Sequence, residues 1–159
     1  MKKVIYLFIF FAVNASFAQD YSNLIKSYLQ QNRSQHSLHQ QDIADVAVAS
    51  QAFSESMQAD NVYVEQHYQG IKVFNSTSPF VIKDGAVFSA KLGFTTNISA
   101  KVNSTTPSIS AVNAISKAAN ALGLQNPSNL NLIETLSDNS YVFSNGSISL
   151  ENIPVELVY

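Results

Sequence analysis

Three histidines are the only imidazoles in the 159-residue chain, and their spacing bounds the chemistry it could carry. His36 and His39 stand three apart, with Asp42 three further on. On a helical face that spacing could gather two imidazoles and a carboxylate around a metal, although zinc sites generally take three or four protein ligands in a fixed geometry. The same residues equally suit a solvated polar turn. His67 lies between Gln66 and Tyr68 in an alternating stretch. It could sense pH, since an imidazole titrates near neutrality, or stand outward on a strand edge.

Other chemistry lacks its parts. No His-Glu-x-x-His sets two imidazoles and a base on one helical face around zinc. There is no Gly-x-Ser-x-Gly, no cysteine, no phosphate loop and no dinucleotide fingerprint. Glu55, Glu65, Glu134, Glu151 and Glu156 are scattered rather than paired. The expectation is a chain with no catalytic residue, metal or cofactor of its own. Among polar residues Gln66 stands out. It is either a buried strand amide tying neighbouring backbone together or one half of a cross-strand surface pair.

The elements that would position these residues centre on Asn61–Ala90. Val62, Val64, Gln66 and Tyr68 alternate with Tyr63, Glu65 and His67, which suits a half-buried strand. Gly70 precedes Ile71, Val73 and Phe74; Phe80–Ile82 and Ala86–Phe88 then flank Asp84-Gly85. Asp-Gly between two apolar runs is a strong hairpin signal, and Gln69-Gly70 reads as a second turn. Together they predict an antiparallel meander with one face buried. Phe88, Ala90, Leu92 and Phe94 are expected to extend its last strand along one face.

Before the meander, Tyr21, Leu24, Ile25, Tyr28 and Leu29 recur at helical spacing behind an Asp20 cap and predict a covering helix that ends in the polar string 30–35. Leu38 and Ile43 should point inward from a short turn, and Val46–Phe53 should form a strand. Residues 95–109, rich in Thr, Asn and Ser, read as a linker. A second helix is expected over Ser110–Leu122, with Val112, Ile115, Ala119 and Leu122 as its apolar stripe and Gly123 closing it. Pro127–Leu136 reads as irregular or a short strand. Tyr141–Phe143 and Ile148–Leu150 should form a hairpin about Asn145-Gly146. Ile153–Tyr159 alternates like a strand, and a chain that stops there reads as truncated. The fold class expected is α+β: an antiparallel meander covered by an N-terminal helix, then an incomplete helix-plus-hairpin subdomain.

The first residues read as an export signal: Lys2-Lys3, an apolar run Val4–Val13, and small residues before a cleavage site between Ala18 and Gln19. The run is shorter than the ~20 apolar residues a membrane-spanning helix needs, so a secreted protein without stable membrane insertion is expected. Without Lys2 and Lys3, the 9 basic residues fall to 7 against 11 acidic ones, a net charge of −4. A mildly acidic chain with no basic cluster argues against nucleic-acid binding. Sequons at Asn32, Asn75, Asn97, Asn103 and Asn145 are expected by chance in so Asn- and Ser-rich a chain.

VEQHYQGIKVFNS followed by KDGAV resembles the fungalysin/thermolysin propeptide motif, carried here by Gln66, Tyr68, Gly70, Ile71, Val73, Phe74, Asp84 and Gly85. The order of helix, short turn, strand, polar loop and Gln-bearing strand is similar too, and TPSISAVNAISKAANALGL resembles the segment after the first propeptide subdomain. The resemblance implies a propeptide subdomain over 19–94, a linker over 95–109 and the start of a second subdomain over 110–159. It implies an intramolecular chaperone and inhibitor of a catalytic domain, the partner, in which zinc would reside. A free-standing peptidase inhibitor or binding module, and a surface or adhesive β-rich protein, are the other classes left open.

Overall fold

The computed structural model describes residues 20–137 and 139–159. The expected leader and its Ala18–Gln19 cleavage site lie outside the described residues. The chain is α+β, with two helices and two antiparallel sheets.

Helix α1, Ser22–Asn32, buries Ile25 and Leu29 one turn apart, with Tyr21 beside them. Tyr28 sets its ring edge-on to Phe80, centroids 5.8 Å apart. Tyr21 holds the cap position, but the Asp20 carboxylate still accepts the Ser22 N–H at 2.9 Å, satisfying one first-turn donor. The helix runs into the polar string as far as Asn32, whose side-chain amide donates to the Tyr28 carbonyl.

The first sheet holds β1 (Asp45–Ser54), β2 (Ala59–Tyr68), β3 (Ile71–Lys72), β4 (Ser78–Lys83) and β5 (Ala86–Ala90). Its order is β1-β2-β4-β5, and β3 pairs with β2 on the same side as β4. Along β2 burial alternates: Val62, Val64 and Gln66 are buried, while Tyr63 is exposed. Val62 and Val64 join Ile25, Leu29, Leu38, Ile43, Phe80, Ile82 and Phe94 in one core. Each large apolar side chain buried there contributes roughly 1.5–3 kcal/mol.

Both predicted turns are two-residue loops. Tyr68 faces Ile71 across Gln69-Gly70, and Lys83 faces Ala86 across Asp84-Gly85. All four loop residues have positive φ, 51° and 76° in the first and 51° and 75° in the second, as a type I′ turn requires. Of the expected face, Ala90, Leu92 and Phe94 do lie on the core, although the strand itself ends at Ala90; Phe88 alone turns away. Val81 pairs with Ser89 but Ile82 with Val87, leaving Phe88 as the extra residue of a bulge. That residue resets the alternation, so Val87 and Ala90 lean on the core and Phe88 is 73% exposed.

A short 3-10 turn (Ile98–Ala100) leads through the linker to helix α2, Ala111–Ala121. The Ser110 hydroxyl accepts the Asn113 N–H at 3.3 Å. At the far end Leu124 N–H reaches the Ala119 carbonyl and Gly123 N–H the Asn120 carbonyl, at 2.9 and 3.1 Å, the Schellman closure. Of the expected stripe, Ile115 and Ala119 are buried, but Val112 and Leu122 are exposed. The helix is flanked by grooves whose other walls carry Pro154–Glu156 and Val155–Val158.

That sheet runs β6 (Leu132–Ser137), β7 (Ser140–Phe143), β8 (Ile153–Glu156), each pair antiparallel. The expected partner of β7, Ile148–Leu150, is therefore replaced by Ile153–Glu156. Positive φ falls on Gly146 and Ser147, not on Asn145 and Gly146, so the Asn-Gly pair cannot make the two-residue turn. Ser128 N–H also draws the Gly146 carbonyl aside, at 2.8 Å. The two sheets join where Val158 bridges Lys72 in parallel, with Tyr159 N–H on the Lys72 carbonyl and Phe74 N–H on the Tyr159 carbonyl, each at 3.0 Å. Among the described residues no helix is long and apolar enough to cross a membrane.

Candidate functional site

Gln66 sits where the strand opposite β2 is interrupted, between β3 and β4. Val73 N–H donates to its carbonyl at 2.9 Å, while its own N–H goes to the Ser76 hydroxyl at 3.0 Å. Ser76 Oγ in turn donates to the Gln66 carbonyl at 3.3 Å, so a side chain completes the ladder where the backbone has swung away. The Gln66 amide is fully buried. Its Nε2 donates to the carbonyls of Asp42 and Thr95, both at 2.9 Å, and its Oε1 accepts the Thr95 N–H at 2.8 Å. One side chain thus ties the turn before β1 to the segment leaving β5. Ser78 adds a second tie, accepting the Gly93 N–H at 2.9 Å and donating to the Ser76 carbonyl.

Asp42 belongs to the same assembly. Its buried carboxylate accepts N–H groups of His39 (2.7 Å), Asn97 (2.8 Å) and Ile98 (2.8 Å). The solvated-turn reading of Asp42 is therefore corrected. The carboxylate is also spent on backbone, because three charge-assisted bonds occupy both oxygens. His39 is exposed and His36 half-buried in the turn ahead of it. Among the described residues no three His, Asp or Glu side chains are grouped to hold a metal. His67 lies on the opposite face of β2 from Gln66, in register with Asp45 and Lys72, and its Nε2 is covered without a hydrogen-bond partner among the described residues.

The remaining motif residues surround the joint between the sheets. Gly70 turns the chain and takes a hydrogen bond from Asn139 on its carbonyl, while its N–H reaches the Asp45 carboxylate. Ile71 and Val73 are buried, Tyr68 meets the Tyr159 ring edge-on, and Phe74 is exposed. Ile71, Val73 and Phe74 line a groove of about 600 Å³ that Val158 and Tyr159 also border. Asp84 and Gly85 form the turn at the far end of β4 and are not part of this joint.

Two polar contacts carry electrostatic weight. Tyr21 donates to the Asp60 carboxylate at 2.6 Å, and burial followed by that bond pushes its hydroxyl pKa to about 12. Lys72 and Glu65 pair at 2.7 Å on the open side of the first sheet, and Glu65 holds the Lys72 ammonium above its ordinary range.

The rest of the surface is apolar in patches. On the second sheet every residue of β6 is exposed, including Leu132, Ile133 and Leu136. Leu122, Leu124 and Leu150 are exposed near it in sequence, and Phe53, Phe74 and Phe88 project from the first sheet region. Sequence reasoning missed Ser76 and Thr95 as partners of Gln66, and Ser78 as the neighbouring tie to Gly93. The one signal for the serines was their alternate spacing ahead of Phe80, which places them on the inward side of β4 and its approach. Searches against models of known families, curated proteins and solved structures match none to this chain.

Proposed function

We propose that the chain is the N-terminal propeptide part of a secreted fungalysin-like zinc metallopeptidase precursor. In this role the helix-covered meander over 19–94 and the helix and three-stranded sheet over 110–159 give the catalytic domain a surface to fold against. The same surface covers its cleft until proteolysis removes it. The chain performs no chemistry itself. In this reading zinc resides in the catalytic domain, and the Asp42 carboxylate serves the fold by accepting three backbone N–H groups. The leader over 1–18 directs export and is cut between Ala18 and Gln19.

One observation supports the reading above the rest. Six of the eight motif residues, Gln66, Tyr68, Gly70, Ile71, Val73 and Phe74, share one strand-turn-strand, where β2, the Ser76 excursion and the end of the chain meet. A motif gathered at the joint between the two sheets suits a folding template, since both must present their surfaces in fixed relation. The test is refolding in trans. A denatured fungalysin-type catalytic domain is diluted into zinc-containing buffer with and without the chain. Recovered activity, assayed after the chain is digested away, should rise with added chain. A yield indifferent to it contradicts the proposal.

A further inference from the structure

Between the first sheet and helix α2, the chain crosses Asn103–Ile109 without a backbone–backbone hydrogen bond to any described residue. Its internal bonds are local: the Ser104 hydroxyl accepts the Thr106 N–H at 3.0 Å and donates to the Thr106 carbonyl at 3.1 Å. Every residue of the segment is exposed. It forms one side of the groove of about 600 Å³ whose other side carries Ile71, Val73 and Phe74. The segment therefore spans a void instead of resting on a packed surface. Both flanks are anchored, by the Asp42 bonds to Asn97 and Ile98 on one side and by the Ser110 cap on the other.

We propose that Asn103–Thr106 is an endoproteolytic processing site, cut by a peptidase that accepts small uncharged side chains. Water adds to the scissile carbonyl carbon and the C–N bond breaks. The first lobe gains a carboxylate and the second an α-amino group, with no other reactant consumed. Cleavage of a folded protein concentrates where backbone is exposed and free of structural hydrogen bonds. The chain from Val102 to Ser116 carries no charge, which sets the class of peptidase. An enzyme requiring a basic residue would find Lys101, but the N–H groups of Lys101 and Val102 are both held by the Ile98 carbonyl, at 2.9 and 3.1 Å. Pro107 protects the bond before it, its nitrogen being tertiary.

Other exposed turns are better closed. Ser54 pairs with Ala59 across the tip of the first hairpin, and Ser144, Ile148 and Ser149 each donate a backbone bond within the loop after β7 or to Asn131. After the cut, the lobes remain in contact through the Lys72–Val158 bridge and the Tyr159 contacts, without a covalent tie. The inference does not rest on the propeptide reading, because the cut is read on the chain alone.

The folded chain is digested briefly with an elastase-type enzyme, and the earliest fragments are mapped by mass. The first cut should fall between Asn103 and Thr106. The triple variant S104P/T105P/T106P should be cut there at least about tenfold more slowly, because proline removes both the N–H and the extended freedom a protease uses. An earliest cut elsewhere, or a triple variant cut within this segment at the unaltered rate, overturns the proposal. If the variant melts lower than the parent, the parent's first cut decides alone.

Discussion

A glutamine side chain carries the same donor and acceptor groups as a peptide bond, and Gln66 uses them that way. Its amide replaces a missing strand for Thr95 and the turn at Asp42. Gln66→Leu keeps the volume but strands the Thr95 N–H and two carbonyls in the interior. Unpaired buried groups cost about 1–3 kcal/mol each, so chemical denaturation should show a loss of at least about 2 kcal/mol. An unchanged midpoint would mean water or backbone shifts replace the amide. Tyr21 supplies a pH signature. Its folded pKa of about 12 lies above the ordinary 10, so the folded chain holds the phenolic proton more tightly than the unfolded one. This contribution is complete below pH 10 and disappears as pH rises through 12. The stability gap between the parent and Tyr21→Phe should therefore narrow across that interval in denaturation curves. A constant gap removes the Tyr21–Asp60 bond from the account. At this scale the sequence singled out Gln66 but could not decide between burial and a surface pair. Asp42 was misread because its three partners are backbone N–H groups, two of them more than fifty residues away, which no side-chain pattern records.

Elements were legible where local chemistry alone decides them. The Asp84-Gly85 and Gln69-Gly70 turns, the α1 stripe and the Ser110 and Gly123 ends of α2 all follow from near neighbours. Gly85→Val should destabilise the chain by more than ~1 kcal/mol, since a β-branched residue resists positive φ. A Cβ there meets no atom within 4 Å, so the loss would be one of backbone strain and not of crowding. Equal thermal midpoints for the two proteins would show that the turn tolerates the branch. Bulges and strand choice were not legible. One extra residue at Phe88 turns that side chain outward and brings Val87 to the core, while Ala90, Leu92 and Phe94 keep the side that alternation assigned to them. The partner of β7 changed because the positive-φ positions fall one residue later than the Asn-Gly rule assumes. In both cases the deciding term is how the sheet closes, which depends on strands distant in sequence.

At the scale of the whole molecule the two lobes differ in finish. The first encloses a continuous core beneath α1, whereas the second leaves β6 and much of α2 with apolar side chains outward. Fold class was readable from the order of periodic segments, but this asymmetry was not, because exposure of Leu122 or Ile133 depends on what packs beside them. Burial of those side chains against a partner would recover about 25 cal/mol per Å² before the costs of association. Equilibrium titration against a fungalysin-type zinc catalytic domain tests the central claim most directly. The proposed function predicts saturable, one-to-one binding at micromolar concentration or below, with peptidase activity falling in step. Full activity and no binding at micromolar chain would contradict it.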